Sequence, residues 1–562
     1  MLLYLRSASH LRAHQLAYFA IRRLLPARAP AAPMILPTVR PGFSLAPGIA
    51  CAGKIVAPGR FRFLNVESVF SIEEVDWHAS AMPKLWRYNL HYFDFLHDPA
   101  CTPETGGRLI ADWLEHNPVG SEDAWEPYTL SLRVVNWIKS LARPESRSMF
   151  TDAAVRSLFY QVLWLEQNVE YHILANHYLK NGKALFFCGA CFDGPAAKRW
   201  LALGRRILLE EAREQLLQDG GHYERSPMYH AIVIEDYLDV LNLAQNTVGL
   251  LSAIVFDALK ERCMAALRFL DQMCFADGSW PLFNDAAFDI APTPAALRAY
   301  AQRVIGYAWT PPETGVSMSA LHESGYFVMR DGRDMLVVDC GPVGASYQPG
   351  HAHCDILSFE LALDGERVIV DSGVHDYEAS ALRAYARSTR AHNTVVVDGA
   401  EQSEIWSVFR MARRARPLYA ELRRVEETHI EFAGAHDGYR RLAGKVEHHR
   451  KILFSRDAGW TIQDELRGGG VHTMESLVHL HPDFEAFAQS DGYLIRRRNG
   501  ACVAVISLLT AADRGPESGW YFPEFGVRLE SAMLVFRCSG ALPLKLSYRV
   551  EKFVAPQTSQ VT

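Results

Sequence analysis

Two histidines open a short segment whose composition is typical of paired β-strands. His351 and His353 begin the segment GHAHCDILSFELALDGERVIVDSG, and Asp371 lies near its end. Residues i and i+2 of a strand share one face, so both imidazoles are expected to point into the same space. The turn falls at residues 364–366. A three-residue turn would place Asp371 on the face of His353 and a two-residue turn would reverse this, so the sequence leaves the register open.

A third histidine extends this group into a candidate metal site. His392 begins a further β-rich run, HNTVVVDG. Together, His353, Asp371 and His392 offer two imidazole nitrogens and one carboxylate, a ligand set suited to zinc with a fourth position left for water or another group. Because the chain contains 22 histidines, histidines at strand ends are the competing interpretation, and His-x-His alone is weak evidence for a metal.

Polar residues also interrupt two apolar helical segments. Asn176 and His177 lie within HILANHYLKNGKALFF. An unpaired buried amide or imidazole costs about 1–3 kcal/mol, so these residues are either satisfied in the core or functional. The loop GGHYERSPMYH precedes another helix and offers several groups that could do chemistry: His222, Tyr223, Glu224, Arg225, Tyr229 and His230. Loops on rigid scaffolds often carry function, although a carboxylate such as Glu224 is also favourable near the positive end of a helix dipole.

Length and composition indicate an ordered protein with several domains. The 562 residues exceed the roughly 250–300 that one hydrophobic core usually supports. A net charge of −6 gives no global attraction to nucleic acid or to an anionic membrane, so an acidic partner would need a local basic cleft. Ten cysteines are too few for a disulfide scaffold, and Cys188 and Cys191 have no second pair nearby, which favours buried thiols.

The N-terminal segment is not typical of an export signal. Residues 1–33 contain several arginines and no unbroken apolar core, and they predict an amphipathic helix followed by a Pro/Ala linker. This helix is expected to pack on its own protein, with a membrane surface as the alternative. No run of 18 apolar residues occurs, so no transmembrane helix is predicted.

The first half of the chain is predicted to be helical. Between about residues 105 and 310, apolar residues recur at spacings of three and four. Six segments carry this pattern: SLRVVNWIKSLA, AVRSLFYQVLWLEQNVEYHIL, NHYLKNGKALFFCGA, AAKRWLALGRRILLEEAREQLL, YHAIVIEDYLDVLNLAQ and ALKERCMAALRFLDQM.

Beyond residue 320 the pattern changes to short β-rich runs, which predict antiparallel sheets packed as a sandwich. These runs are SGYFVMR, DMLVVDCG, ILSFELAL, RVIVDSG, HNTVVVDG, RKILFSR, GWTIQDEL, ACVAVISLL and AMLVFRC. The order of helices and strands predicts an α+β multidomain protein. We expect a lead-in region over residues 1–84, a helical domain over 85–315 and a strand domain over 316–562.

Taken together, these segments resemble the heparinase II/III family of polysaccharide lyases. ANHYLKNGKALFF is similar to the central helix motif of that family, SPMYH to its tyrosine loop, and GHAHCDILSFELALDGERVIVDSG with RAHNTVVVDG to its β-domain core. The likeness covers roughly residues 85–410, and the order of the parts matches. The resemblance implies an incomplete (α/α) toroid followed by antiparallel β-sheets.

The resemblance also implies roles for individual residues. Asn176 would neutralise the substrate carboxylate, Tyr229 would be the tyrosine acid/base, and His351 would be the histidine from the β-domain. In family members that hold a structural zinc, the metal-binding positions match His353, Asp371 and His392. Four further residues are expected to contact substrate: His177, Arg225, His230 and Arg387. The last three, together with the other arginines of RAYARSTRAHN, are also candidate positive charges that would allow Tyr229 to act as a base.

The implied reaction is β-elimination on a polysaccharide that contains uronic or aminouronic acid, such as a glycosaminoglycan, an alginate-like polymer or a capsule. Either Tyr229 or His351 would remove the C5 proton, and Tyr229 could protonate the leaving O4. The metal would orient the loop that carries His351 without touching substrate. The N-terminal segment predicts a cytoplasmic location, with the periplasm as the alternative because such polymers are usually met outside the cytoplasm.

Two other functions compete with a lyase. A glycoside hydrolase on an (α/α) barrel would use paired carboxylates. The available carboxylates are Glu224, Glu235 and Asp236. The last two lie in a regular helix, where they are expected to be solvated. A noncatalytic polysaccharide-binding protein of capsule or exopolysaccharide assembly would instead use aromatic platforms. Candidates are Trp125, Tyr128 and Trp137, which suit a core equally well.

Overall fold

The computed structural model describes residues 2–25, 29–31, 33, 35–57, 59–71, 74–311 and 314–554. Its helices are α1 (Leu2–Ala8), α2 (Ala13–Leu24), α3 (Lys84–Tyr92), α4 (Pro103–His116), α5 (Pro127–Leu141), α6 (Asp152–Gln167), α7 (Ala175–Cys191), α8 (Pro195–Gln215), α9 (Pro227–Asn246), α10 (Ala253–Met273), α11 (Pro294–Ile305) and α12 (Ala381–Arg387). All six predicted helical segments are confirmed as α5 to α10. The prediction was wrong at one end, because α6 stops at Gln167 and residues 168–174 form the loop that leads into α7.

Helices α3 to α11 form the incomplete (α/α) toroid, and their ends carry the expected signals. Thr102, Thr151, Ser252 and Thr293 each accept a hydrogen bond at a helix N-cap, which satisfies a backbone N–H that the helix itself leaves free. The inward faces are apolar and share one core. A small sheet of β1 (Ile55–Ala57), β2 (Arg60–Phe63) and β3 (Val66–Val69) packs its buried residues into the same core.

The second half is an antiparallel β-sandwich. Its strands are β4 (Val316–Leu321), β5 (Tyr326–Asp331), β6 (Asp334–Asp339), β7 (Phe359–Leu363), β8 (Glu366–Ile369), β9 (Val395–Val397), β10 (Ile405–Ser407), β11 (Arg410–Met411), β12 (Pro417–Glu426), β13 (His429–His436), β14 (Glu447–Ser455), β15 (Gly459–Arg467), β16 (Val471–His479), β17 (Phe484–Ala488), β18 (Gly492–Arg497), β19 (Cys502–Leu508), β20 (Asp513–Tyr521), β21 (Leu529–Ala541) and β22 (Leu544–Lys552). The nine predicted β-rich runs are confirmed as β5 to β9, β14, β15, β19 and β21. The larger sheets have the orders β4-β5-β6-β7-β8, β12-β13-β14-β15-β22-β19-β18-β17 and β20-β21-β16-β9, and their inner faces share a second core.

The sheet β4 to β8 joins the two halves, because both of its faces are buried. Phe327, Leu336 and Val338 face the core of the sandwich. On the opposite face, Val328 and Val337 pack against aromatic and aliphatic residues at the end of α10 and in the loop that follows it. A strand that alternates between two buried faces is apolar at nearly every position, which explains why SGYFVMR and DMLVVDCG are so clear in the sequence.

The predicted hairpin has a two-residue turn. Leu363 pairs with Glu366 across Asp364 and Gly365, and both turn residues have positive φ, at 51° and 86°, as the Asp-Gly pair favours. A register shift follows along the pair β7 and β8. The prediction that His351 and His353 lie on a strand was wrong, because both lie in the loop between β6 and β7.

The N-terminal helix pair, α1 and α2, crosses between the two domains. From α1, Arg6 forms an ion pair with Glu404 at 2.9 Å, and the ring of Tyr4 packs against Trp406 with centroids 4.8 Å apart. At the N-cap of α2, Arg12 pairs with Glu214 of the toroid. The predicted N-terminal amphipathic helix is therefore two helices that pack on the protein. None of the helices in the described ranges is both long enough and apolar enough to cross a bilayer.

Candidate active site

A cavity of about 450 Å³ lies where the toroid meets the β-sandwich. Asn176 and Tyr229 enter it from the toroid, and His351 enters it from the β-domain loop. The structure thus brings together the three residues that were predicted to be catalytic. The other residues of its wall used below are Phe19, Lys84, Tyr88, Tyr92, Tyr128, His177, Glu224, Tyr347, Tyr377, Glu378, Phe409 and Arg410.

Asn176 lies in the first turn of α7, behind a strained entry. The two preceding residues, Leu174 and Ala175, have φ values of 63° and 54°, a conformation that non-glycine residues seldom adopt and that tends to occur at functional sites. The side chain of Asn176 is only 4% exposed, yet its Oδ1 has no hydrogen-bonding partner among the described residues. Asn176 is therefore not a fully satisfied core residue: its Oδ1 can accept a hydrogen bond from a ligand, and its Nδ2–H group is the part of the amide that could donate one to a carboxylate.

Tyr229 lies in the first turn of α9, where Ser226 caps the helix. Its ring packs on the imidazole of His351 with centroids 4.0 Å apart, and its hydroxyl lies 3.1 Å from the hydroxyl of Tyr377. Burial raises the pKa of Tyr229 well above its ordinary value, and neighbouring Tyr377 adds to the rise. The phenol is therefore protonated at neutral pH and can donate a proton.

Asp285 organises the histidine side of the cavity. Its two carboxylate oxygens accept hydrogen bonds from His351 Nδ1 at 2.9 Å and from His353 Nε2 at 2.7 Å, and Arg383 pairs with both oxygens. Burial opposes ionisation of Asp285, but Arg383 outweighs this effect and holds the pKa of Asp285 well below its usual range. Because the carboxylate accepts the Nδ1–H of His351, the lone pair of that imidazole is at Nε2.

Glu224 is a buried carboxylate in the cavity wall. It is 1% exposed, and its carboxylate lies beside the backbone and side-chain N–H groups of Asn176. Burial raises the pKa of Glu224, although His351, His177 and the N–H groups of Asn176 work against the rise. Glu224 is accordingly part of the site, as its loop position allowed, and is not simply a charge at a helix end.

Of the four predicted substrate contacts, only His177 lies in the cavity. Its Nδ1 is 2.9 Å from Glu170 Oε1, and its ring packs on Tyr128 at 4.3 Å. Burial lowers the pKa of His177, but Glu170 outweighs burial and raises it above its ordinary value.

The other three predicted contacts face away from the cavity. Arg225 donates to backbone oxygens of Ser324, Tyr223, Gly344 and Glu323. His230 bonds to the carbonyl of Ala266 at 2.9 Å, and burial lowers its pKa to about 4, so it is neutral. Arg387 donates to Ala352 O, between the two histidines of the loop. None of the three supplies a positive charge to Tyr229, and Arg387 instead holds the loop that carries His351.

A group of three potential metal ligands lies behind the cavity. One ligand atom is offered by each of His353, Asp355 and His392, and these three atoms lie within 4.8 Å of one another. In this group the carboxylate beside the two histidines is that of Asp355, whereas the predicted carboxylate was that of Asp371. Asp371 Oδ2 lies 2.8 Å from His392 Nδ1, so it supports the histidine from behind. His353 Nδ1 and His392 Nε2 have no partner among the described residues.

The alternative sites are not assembled. Asp236 was expected to be solvated but is buried between Lys180 and Lys183, at 2.7 and 2.8 Å, and Glu235 does not line the cavity. Of the three aromatic platforms, Tyr128 lines the cavity, whereas Trp125 and Trp137 are buried core residues. The cysteines Cys188 and Cys191 are buried in α7, where burial raises the pKa of both thiols.

Three residues of the site were missed by sequence reasoning: Asp285, Asp355 and Tyr377. Arg383 is one of the arginines of RAYARSTRAHN that were candidate positive charges near Tyr229. The loop that contains Asp285 has an Asn-Asp pair between apolar residues, in WPLFNDAAF, and such a pair was itself a usable signal. Asn284 donates its backbone N–H to Asp355 and its side chain accepts from the backbone of His353. No local pattern marks Tyr377, because its hydroxyl contacts Tyr229 and His351, which are distant in sequence.

Comparisons with known proteins agree with this architecture. Two protein-family models match the chain. The family model described as Heparinase II/III N-terminus matches residues 53–303, and the family model described as Heparinase II/III-like, C-terminal matches residues 313–550. A heparin-sulfate lyase of Pedobacter heparinus is 27% identical over an alignment that covers 51% of this chain and 47% of the relative. One from Bacteroides stercoris is 25% identical and covers 55% and 46%. The chain thus spans about half the length of the curated relatives that it matches.

Solved structures show the same fold. A crystal structure of heparinase III superposes with a TM-score of 0.68 at 17% identity and covers 85% of this chain and 79% of that one. A heparan sulfate lyase mutant from Pedobacter heparinus gives a TM-score of 0.60 at 19% identity and covers 88% and 81%. The predicted incomplete toroid followed by an antiparallel β-sandwich is confirmed.

Proposed function

Because the chain belongs to the heparinase II/III family, we propose that it is a polysaccharide lyase that cleaves a uronate-containing polymer by β-elimination. The observation that carries this proposal is the convergence of the Asn176 amide, the Tyr229 phenol and the His351 imidazole on one cavity. Capsule and exopolysaccharide are the classes of polymer that we propose as sources of substrate.

The first requirement of the reaction is to stabilise the charge that develops on the substrate carboxylate. Removal of the C5 proton, which lies α to that carboxylate, creates an enolate-like anion. The Asn176 amide faces the cavity from a buried position, where a well-placed hydrogen bond is worth about 3–4 kcal/mol in the transition state. In our proposal the uronate carboxylate therefore binds at Asn176.

The surroundings of the two acid/base candidates favour different roles. His351 has its Nδ1–H committed to Asp285, so its Nε2 can accept the C5 proton. Tyr229 is protonated, and the nearby guanidinium of Arg383 is neutralised by Asp285. We therefore assign the base to His351 and the acid to Tyr229. The C5–H electrons form the C4–C5 double bond, the C4–O4 bond breaks, and O4 takes the proton of Tyr229.

The test is incubation of the purified protein with a panel of acidic polysaccharides. We expect products with a conjugated C4–C5 double bond, which absorb ultraviolet light, and new reducing ends in equal number. New reducing ends without absorbance would instead indicate a hydrolase. Binding of polymer with neither product would indicate a noncatalytic protein.

We also propose that His353, Asp355 and His392 hold one zinc ion. Two imidazoles and a carboxylate suit zinc, and burial lowers the pKa of His353 to about 3, so this imidazole is in the neutral form that binds metal. The two unpartnered nitrogens of His353 and His392 point to the same conclusion. When bound, zinc would supply structural cross-linking of the loop. Because His353 and His351 both form hydrogen bonds with Asp285, a zinc ion that fixes His353 would also help to fix the orientation of His351.

Elemental analysis of the purified protein is expected to find about one zinc per chain. Asp355→Asn should lose most of the zinc and lower the melting temperature, whereas Asp371→Asn should weaken zinc binding by about 10- to 100-fold, as loss of an outer carboxylate does. If Asp371→Asn abolishes binding and Asp355→Asn does not, Asp371 is the ligand, as the sequence predicted. If the wild-type protein lacks zinc and His392→Ala melts normally, there is no metal site.

A further inference from the structure

We propose that the substrate is a uronate polymer without sulfate groups around the scissile bond, and that acidic residues of the cavity select against sulfated chains. This inference rests on the proposed lyase function. It comes from the charges in the cavity wall. In the part of the chain that the structure describes, the wall contains Lys84 and Arg410 as its lysine and arginine residues, and Glu224 and Glu378 as its carboxylates.

The wall carries little free positive charge, since His177 is paired with Glu170 and only one lysine and one arginine of the described residues line it. Lys84 Nζ lies 2.9 Å from Glu126 Oε1 and 3.9 Å from Asp123 Oδ1. Arg410 is exposed at the rim, on the short strand β11. Proteins recognise sulfate-like oxyanions with clusters of arginine that form paired hydrogen bonds. One exposed arginine and one paired lysine do not make such a cluster.

The acidic residues have the opposite effect. The carboxyl of Glu224 is buried beside Asn176, where the substrate carboxylate would bind, and burial raises its pKa. Two carboxyl groups can share a proton when they are close, which allows a uronate to sit there. A sulfate ester is a much weaker base than a carboxylate and cannot share that proton on equal terms, so this position favours a uronate over a sulfate. Glu378, whose side chain accepts a hydrogen bond from the backbone N–H of Lys84 at 3.2 Å, adds negative charge to the wall.

The remainder of the wall suits neutral sugar surfaces. Tyrosines dominate it, and Phe19 and Phe409 add apolar rings. Aromatic rings offer flat apolar faces, and the phenols add hydroxyl groups that bond to sugar hydroxyls without a formal charge. The cavity therefore recognises hydroxyls and ring faces, together with the one carboxylate that the reaction requires.

The test compares two polymers with the same 4-linked uronate backbone and the same length, one unsulfated and one chemically O-sulfated. The wild-type protein should cleave the unsulfated polymer with a kcat/KM at least about tenfold higher, which corresponds to 1.4 kcal/mol. Equal or faster cleavage of the sulfated polymer would overturn this inference and leave the lyase function intact. Failure to cleave any polymer of an acidic panel would overturn the lyase function itself.

A charge variant tests the cause of the selection. Glu378→Gln keeps the hydrogen-bond acceptor for Lys84 and removes the charge. We expect it to raise the relative kcat/KM for the sulfated polymer about three- to fivefold, as loss of one repulsive charge at a partly exposed site would. The matched control is Glu427→Gln, an exposed carboxylate in the turn between β12 and β13, which should leave the ratio unchanged. If the kcat/KM for the sulfated polymer relative to the unsulfated one is unchanged in Glu378→Gln, Glu378 takes no part in the selection. A fall in this ratio would contradict the proposal.

Discussion

Replacing Tyr229 with phenylalanine is expected to reduce the formation of unsaturated uronate by about a hundredfold to ten-thousandfold, the range for loss of a general acid. The ring of phenylalanine can still pack on His351, so the cavity should keep its shape. The substitution removes only the hydroxyl that lies 3.1 Å from Tyr377 and that would protonate O4. The measurement is kcat by ultraviolet absorbance, together with polymer binding, which should remain largely intact.

A matched control is Tyr307→Phe. The hydroxyl of Tyr307 donates to Asp271 at 2.6 Å, and Tyr307 does not line the cavity. This variant therefore loses a hydrogen-bonded hydroxyl outside the site and should keep the kcat of the wild-type protein. Normal turnover by Tyr229→Phe would remove Tyr229 from the mechanism and leave His351 to perform both proton transfers.

Replacing Asp285 with asparagine is expected to affect both activity and stability. An asparagine amide does not fix the Nδ1–H form of His351, so kcat should fall by about a hundredfold or more with little change in KM, as when a catalytic histidine loses its orienting carboxylate. Arg383, which is 2% exposed, would lose its ion pair. Loss of one partner of a buried pair costs roughly 3–5 kcal/mol of unfolding free energy.

Steady-state kinetics and urea denaturation separate the two effects. Asp271→Asn is the control, because Asp271 also pairs with an arginine, Arg298 at 2.6 Å, but lies away from the cavity. It should lose less stability and keep its kcat. A fully active Asp285→Asn variant would show that His351 does not need this carboxylate, and the assignment of His351 as an oriented base would be wrong.

The strands that were predicted and those that were missed differ in their surroundings. The predicted runs are largely buried, so hydrophobicity alone marks them. Among the missed strands, β12, β17 and β20 lie at sheet edges. The exposed residues of β12 include several charges, and β20 contains Pro516 and two glycines. Such residues are tolerated at an edge, where one side of the backbone needs no partner strand, and they hide the strand from pattern reasoning.

The site shows a similar division. Asn176, Tyr229 and His351 belong to motifs that could be compared with a family, and the structure brings them together. Arg225 and Arg387 are also polar residues in or near those motifs, but residue type does not reveal whether a guanidinium points to a ligand or to backbone carbonyls. Asp285 is 66 residues away from His351 in sequence, and their contact depends on how the toroid and the sandwich dock.

The N-terminal helix pair has a consequence for how the molecule can move. It is attached to the sandwich through Arg6 and to the toroid through Arg12, and Phe19 of the same pair forms part of the cavity wall. Any hinge bending that parts the two halves would therefore strain these contacts and move part of the cavity wall. The width of the gap between the halves and the position of this wall would change together.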